Sequence, residues 1–218
     1  VVLYPLATLV GACANMKGVM MGSKAGQKRR GKKKVKGVDL TTYTTQKGLT
    51  IKLMPVNRLT IQMIRSGVRA EFREAGEPIA TPTYEAKTVA DDVEELPLDA
   101  KSLEVPGDEE ETKRRTEVWA AHQDALTRLG EEEQNRVTRY QLIEGVDVEV
   151  PDGFDAKMEK YGIEVPEDPD DRRLLYIMTT ALTTMQEVFD VTIRLMALTN
   201  RAELTQEMLE AAEATFRS

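Results

Sequence analysis

The chain has one cysteine (Cys13), one histidine (His122) and one tryptophan (Trp119), and each scarcity excludes something. A single thiol allows no intrachain disulfide, and its default compartment is a reducing one. A single imidazole removes His-rich metal sites and leaves no choice of base for a nucleophilic serine. Aromatics make up only 5% of the 218 residues, so the core must be built from Leu, Val, Ile and the ten Met. Methionine fills irregular gaps and suits adaptable binding surfaces. Neither GxxxxGK[ST] nor GxGxxG occurs, so no phosphate cradle is encoded. Carboxylates are plentiful, yet they fall in runs that suit solvated faces and helix starts, and no pair stands in the contrasting environments that acid/base chemistry needs. The chain is therefore read as non-catalytic, with no cofactor and no metal.

Net charge is -7, but its distribution is uneven. The first 36 residues hold nine Lys or Arg and no acid, whereas the remainder holds 21 bases against 37 acids, so an arm of +9 precedes a body of -16. The run Lys24 to Lys36 is Gly-interrupted and has no aromatic, which predicts a disordered arm. Lys28, Arg29, Arg30, Lys32, Lys33 and Lys34 are the candidate nucleic-acid contacts, able to neutralise phosphate without reading sequence. Nucleic acid ranks behind a solvated arm or an acidic protein partner, because stacking aromatics are missing.

The opening apolar stretch has no charge before Lys17. Val10-Gly11-Ala12-Cys13 is similar to a lipoprotein cleavage box, but no basic region precedes it, Pro5 interrupts it, and it is too short to span a bilayer. It is read as a disordered lead-in or as upstream sequence translated in frame, with a natural start at Met20 or Met21. No membrane association is expected.

The best-formed local pattern runs from Val38 to Gly76. Val38, Leu40 and Thr42 alternate with polar residues, and after Gln46-Lys47-Gly48 the alternation resumes at Leu49, Ile51 and Leu53. Gly48 supplies the positive φ of a tight hairpin, and Pro55 ends the second strand. Asn57 then caps a helix bearing Leu59, Met63, Ile64, Val68 and Phe72, stopped by Gly76 and Pro78. Leu49, Ile51, Leu53, Leu59, Met63 and Val68 are expected to hold ribbon to helix, leaving the free ribbon edge as an interaction surface. A Pro-limited second hairpin with Tyr84, Ala86, Val93 and Leu96 turns near Ala90-Asp91-Asp92.

From Asp108 to about Glu144 the pattern is a long charged helix with a thin stripe of Val118, Trp119, His122, Leu126, Leu129, Val137 and Tyr140. Bending near Gly130 or packing against a partner is expected, and His122 is read as a buried neutral imidazole. The phrase LEVPGD (103–108) returns as VEVPDG (148–153) and IEVPED (163–168), and each copy predicts a helix start. Asp168-Pro169 starts a helix holding Leu174, Leu175, Ile177, Met178 and Leu182. Thr184 and Glu187 form a capping box for the next, apolar nearly all round and thus central to a core or an interface. Thr205 caps a last helix bearing Met208, Leu209, Ala212 and Phe216.

The expected fold is α+β, mainly α: one or two N-terminal β-hairpins packed on a helix, then a long charged helix and a C-terminal helical bundle. The expected division is an arm (1–36), a hairpin-helix-hairpin region (37–100) and a helical body (101–218). Candidate protein-interaction residues are Tyr43, Leu49, Ile51 and Leu53 on the ribbon, and Met178, Met185, Phe189 and Met196 on the late helices.

The segments GLTIKLMPVNRLTIQMI, VPEDPDDRRLLYIMT and LEAAEATFRS together resemble the tail assembly chaperones encoded in tailed-bacteriophage and prophage tail gene clusters. The resemblance lies in the order of elements over residues 37–218, not in a catalytic motif. It implies a protein of the bacterial host cytoplasm that binds the tape measure protein, keeps its apolar helices soluble and recruits tail tube subunits, with homo-oligomers as a further expectation. The long charged helix and second hairpin exceed the simplest chaperones, which leaves a structural virion component (neck, connector or minor tail protein) as the alternative.

Overall fold

A computed structural model describes residues 39–87 and 93–201. The lead-in, the basic arm with its six candidate contacts, the expected turn at Ala90-Asp91-Asp92 and the expected last helix lie outside these residues. The described chain is α+β and mainly α, with 57% of it helical. Its elements are β1 (Thr42–Thr44), β2 (Thr50–Leu53), α1 (Arg58–Glu74), β3 (Thr83–Lys87), β4 (Val93–Pro97), α2 (Glu109–Gly145), β5 (Val146–Asp147), α3 (Phe154–Lys160), α4 (Pro169–Tyr176), a π-helical turn (Ile177–Ala181) and α5 (Met185–Asn200).

The chain forms two compact units, one of residues 39–62 and 134–201, the other of residues 63–133. The expected boundary at residue 100 falls inside the second of these units. The reason is that α1 and α2 each contribute one end to either unit, so the first unit is assembled from both ends of the described chain.

In the first unit, β1 and β2 form the expected antiparallel ribbon, with Tyr43 opposite Ile51 and Thr44 opposite Thr50. Gly48 has φ +79°, and the Gly48 and Leu49 amides donate to the Thr45 carbonyl and hydroxyl. A third strand was not foreseen. α2 runs into β5, which pairs antiparallel with β2, Leu53 opposite Val146, giving the order β1-β2-β5. The expectation of a free ribbon edge is thus corrected on the β2 side.

The ribbon's inward face is buried in the core of the first unit. Ile51 and Leu53 are buried in one core with Leu142, Val146, Ile177 and Leu182, and with Val188, Phe189, Val191, Ile193 and Leu195 of α5. Helix α5 is central as its all-round apolar sequence requires, and it begins with the expected capping box: the Thr184 hydroxyl accepts the Glu187 amide while the Glu187 carboxylate accepts the Thr184 amide. Where α2 meets β5, the backbone passes so close to α5 that a Cβ on Gly145 would lie 2.6 Å from Leu195 Cδ2 and 3.2 Å from Val56 Cγ1. Gly145→Ala is therefore expected to cost about 1–3 kcal/mol by overpacking. Urea denaturation would measure it, and the penalty should shrink in a Leu195→Val background, which lacks the offending Cδ atoms.

The three helix entries explain the recurring phrase. Each apolar-Glu-Val alternates inward and outward, with Glu104, Glu149 and Glu164 exposed and the apolar residues on either side partly buried. Val148, Val150, Ile163 and Val165 pack on one satellite core of Phe154, Met158, Tyr176 and Ala181, in which the Phe154 and Tyr176 rings meet edge to face at 5.3 Å. The caps differ. Asp108 and Asp168 accept backbone amides at N3 or N2 and N3, whereas Gly153 turns at φ +81° with no side-chain cap.

In the second unit, β3 and β4 pair as expected, with Tyr84 opposite Leu96. Arg115 ties this unit together: its guanidinium lies 4.1 Å from the Tyr84 ring centre, and it donates to the Ser102 carbonyl and to Glu111. Glu111 also takes a two-pronged bond from Arg114, and these guanidinium bonds hold its carboxyl well below the usual range, at about 2. Helix α2 runs through Gly130 without interruption. Its buried stripe is His122, Ala125 and Leu129, so the expected Val118 and Leu126 are instead exposed. His122 is buried as read, with Nδ1 2.8 Å from the Pro78 carbonyl oxygen, which places the proton on Nδ1.

Candidate interaction surface

Helix α1 starts as its sequence dictates, with Asn57 Oδ1 accepting the Leu59 amide at 2.9 Å, and ends before Gly76 at φ +73°. Its faces are another matter. At about 100° per residue, Leu59 lies on the opposite side of the helix from Val68, and Met63 about 140° from it. The inward side is Ile61, Ile64, Val68 and Phe72, of which Val68 is fully buried. The outward side carries Leu59 and Met63, 68% and 72% exposed, followed by exposed Ser66 and Ala70. Leu59 and Met63 were expected to hold ribbon to helix; they do not, because helical geometry turns them away from the buried side. They are the two most exposed large apolar side chains among the described residues; Leu49 and Met54, at either end of β2, are 37% and 36% exposed. Helix α1 thus carries apolar residues on two opposite sides, one facing inward and one exposed.

The expected interaction residues divide sharply. Ile51, Leu53 and Phe189 are buried in this chain's own core and are closed to a partner while it is folded, which corrects their reading as contact residues. Tyr43, Met178 and Met185 are half-buried and pack against the rim of that core, Met196 is half-buried, and Leu49 is exposed. Around Tyr43 the polar groups of β1 and α5 converge. Its hydroxyl donates a long bond, 3.5 Å, to Asp190, which also accepts the Gln186 amide, and the Arg194 guanidinium lies 5.4 Å from the Tyr43 ring while bonding the Asp39 carbonyl. Burial, then the charges of Asp190 and Glu187, push the phenol pKa upward, so it stays protonated.

Glu187 is the most consequential polar group. It is 1% exposed, and its carboxylate accepts four hydrogen bonds, from the Gln46 amide at 2.6 Å, the Thr183 amide and hydroxyl, and the Thr184 amide. Burial acts to raise its pKa, but those donors outweigh burial and the net shift is downward. One carboxylate thus clamps the β1–β2 turn to the start of α5. This is a structural latch that positions the ribbon.

Among the described residues no group of three or more His, Cys, Asp or Glu is placed to hold a metal, and no helix is long and apolar enough to cross a membrane. Comparison of the chain with protein-family models, curated proteins and solved structures finds no match.

Proposed function

We propose that the protein is a non-catalytic assembly factor that docks apolar helices of a partner, and that it serves tail morphogenesis in a tailed bacteriophage or prophage, with the tape measure protein as client and the tail tube subunit as second partner. The observation that carries this reading is the outward apolar side of α1. Leu59 and Met63 stand one helical turn apart, which is the spacing an apolar helix meets when laid alongside. The order of hairpin followed by helical body is also the order on which the family resemblance rests. The body is acidic, so copies in the host cytoplasm would repel one another while their apolar side chains stay open to a client. The runner-up, a permanent neck, connector or minor tail component, is favoured by the second unit with its own hairpin, which is additional to a minimal chaperone. Two experiments separate these readings. Co-expression with the adjacent tape measure product should yield a soluble complex, and mass spectrometry of purified particles should lack the protein. Its presence in particles at stoichiometric level would reject the chaperone role in favour of the virion component. For the basic arm, DNA affinity across a salt series should be unchanged in slope when residues 22–36 are deleted, and a shallower slope would assign phosphate contacts to the arm.

A further inference from the structure

Helix α1 carries a stripe of charge beside its outward apolar side. At about 100° per residue, Arg58, Arg65, Arg69 and Arg73 fall within a sector of about 80°, whereas Glu71 and Glu74 lie about 100° or more from every one of them. The stripe is centred about 100° round the helix from the middle of the Leu59–Met63 row, with exposed Ser66 at the border and exposed Ala70 continuing the row. The other flank of the row holds Thr60 and Gly67, and its one charge, Glu74, comes only at the last residue of the helix. The exposed row therefore has cations along one flank and not along the other.

Most of these cations are left over by the fold. Acids outnumber bases 37 to 21 after residue 36, and Arg114, Arg115, Arg128, Arg139 and Arg172 each hold a carboxylate. Yet Arg58, Arg65 and Arg73 make no ion pair among the described residues, and Arg58 and Arg73 are exposed. Arg69 is tied to Glu133 at 2.6 Å and still keeps its side chain 56% exposed. Unspent guanidiniums gathered on one stripe call for an anion. Nucleic acid fits poorly, because no aromatic stands on the stripe or the row to stack on a base, and Phe72 lies on the inward side. The excess of acid in the body also repels phosphate polymers and anionic bilayers. Carboxylates set along an amphipathic helix match both features at once, since acids and apolar residues on such a helix recur at the same three- and four-residue spacing.

We infer that α1 selects its client by charge: the helix it docks carries an apolar row for Leu59 and Met63 and, along one flank only, carboxylates for Arg58, Arg69 and Arg73. This rests on the proposed reading of α1 as a helix-docking surface and names the chemistry of the client. One-sided charge also fixes the direction of the docked helix. A client laid in reverse would set its acids against Thr60, Gly67 and Glu74, where no cation stands and one carboxylate repels.

The test uses the full chain and three fluorescent synthetic helices of about 20 residues, long enough to be helical alone. They share one leucine row and differ only along one flank, which carries Glu, Gln or Lys. By fluorescence anisotropy at about 0.05 M salt, the Glu helix should bind roughly five- to tenfold more tightly than the Gln helix and the Lys helix more weakly than either, and the gap should close near 0.5 M salt. Arg58→Glu with Arg73→Glu should invert the order, and Arg58→Lys with Arg73→Lys should preserve it. The circular dichroism melts of all forms should coincide, because both side chains are exposed and without an ion pair among the described residues. Equal affinity of the three helices for the wild-type chain, or a Glu preference that survives charge reversal, would overturn the inference. So would duplex DNA or phosphatidylserine vesicles displacing the Glu helix more effectively than its own unlabelled form, because that assigns the stripe to phosphate. If the three helices bind equally and Leu59→Glu with Met63→Glu abolishes binding of the Gln helix, the charge selection is wrong and the docking surface stands. If none of the three binds, the docking reading is wrong and the inference falls with it.

Discussion

Phe189→Ala is expected to remove about 3–5 kcal/mol of stability, the cost of deleting a large aromatic from a packed interior. Phe189 is fully buried between the ribbon residues Ile51 and Leu53 and the α2 and α4 residues of the same core, so the surrounding side chains come from both ends of the described chain. Phe189 projects from α5 into this core, so truncation leaves a void whose remaining walls, Ile51 and Leu53 of the sheet and Leu142 of α2 among them, are held by their own elements. Against a typical stability of roughly 5–15 kcal/mol the loss is large, and urea unfolding followed by circular dichroism would show the midpoint falling accordingly. The same variant separates core from interface. If Phe189 were a contact residue for a partner, its removal would lower affinity and leave the midpoint in place; the buried position requires the opposite pattern.

Glu187→Ala is expected to cost at least about 3 kcal/mol, since the lost cap, worth about 1, adds to the loss of several hydrogen bonds to a charged acceptor, worth about 1.5–3 each before relaxation. The Gln46, Thr183 and Thr184 amides would lose their partner, and the turn between β1 and β2 would lose its tie to α5. Glu187→Gln should cost less at neutral pH, since it keeps one oxygen while turning an NH2 group toward donors. The pH dependence has a definite sign. The folded carboxyl has a pKa below the unfolded value of roughly 4.3, so its stabilisation is fully present above that pH and is lost as pH falls through the depressed folded value. The stability gap between wild type and Glu187→Gln should thus be widest at neutral pH and should narrow below about pH 4. A gap that stays constant down to pH 3 would mean that the buried carboxylate is not the titrating latch.

Local signals were legible wherever one residue decides one piece of backbone. Gly48, Asn57, Asp108, Asp168 and the Thr184–Glu187 box all act over a few residues, and all stand where short-range chemistry puts them. What was illegible is long-range. Strand β5 is two residues issuing directly from a 37-residue helix, with no turn signal to announce it, and it exists because β2 offers an edge 93 positions earlier, at the pairing of Leu53 with Val146. The ribbon's true support is α5, more than 130 residues away, whereas the nearest helix in sequence looked sufficient. The exposed apolar side of α1 was hidden differently. Leu59, Met63, Val68 and Phe72 all fit some helical spacing, but a phase count separates the first two from the last two by nearly half a turn. Apolar content revealed the helix and concealed that it has two apolar sides.

The account stands or falls on that second side. Its most direct test is the affinity of the full-length chain for the tape measure product, measured by calorimetry for wild type and for Leu59→Glu with Met63→Glu. Burying a Leu and a Met is worth about 1.5–3 kcal/mol each, so the double variant should bind at least tenfold more weakly while melting at the wild-type temperature. Equal affinity of the two forms at equal melting temperature would contradict the account.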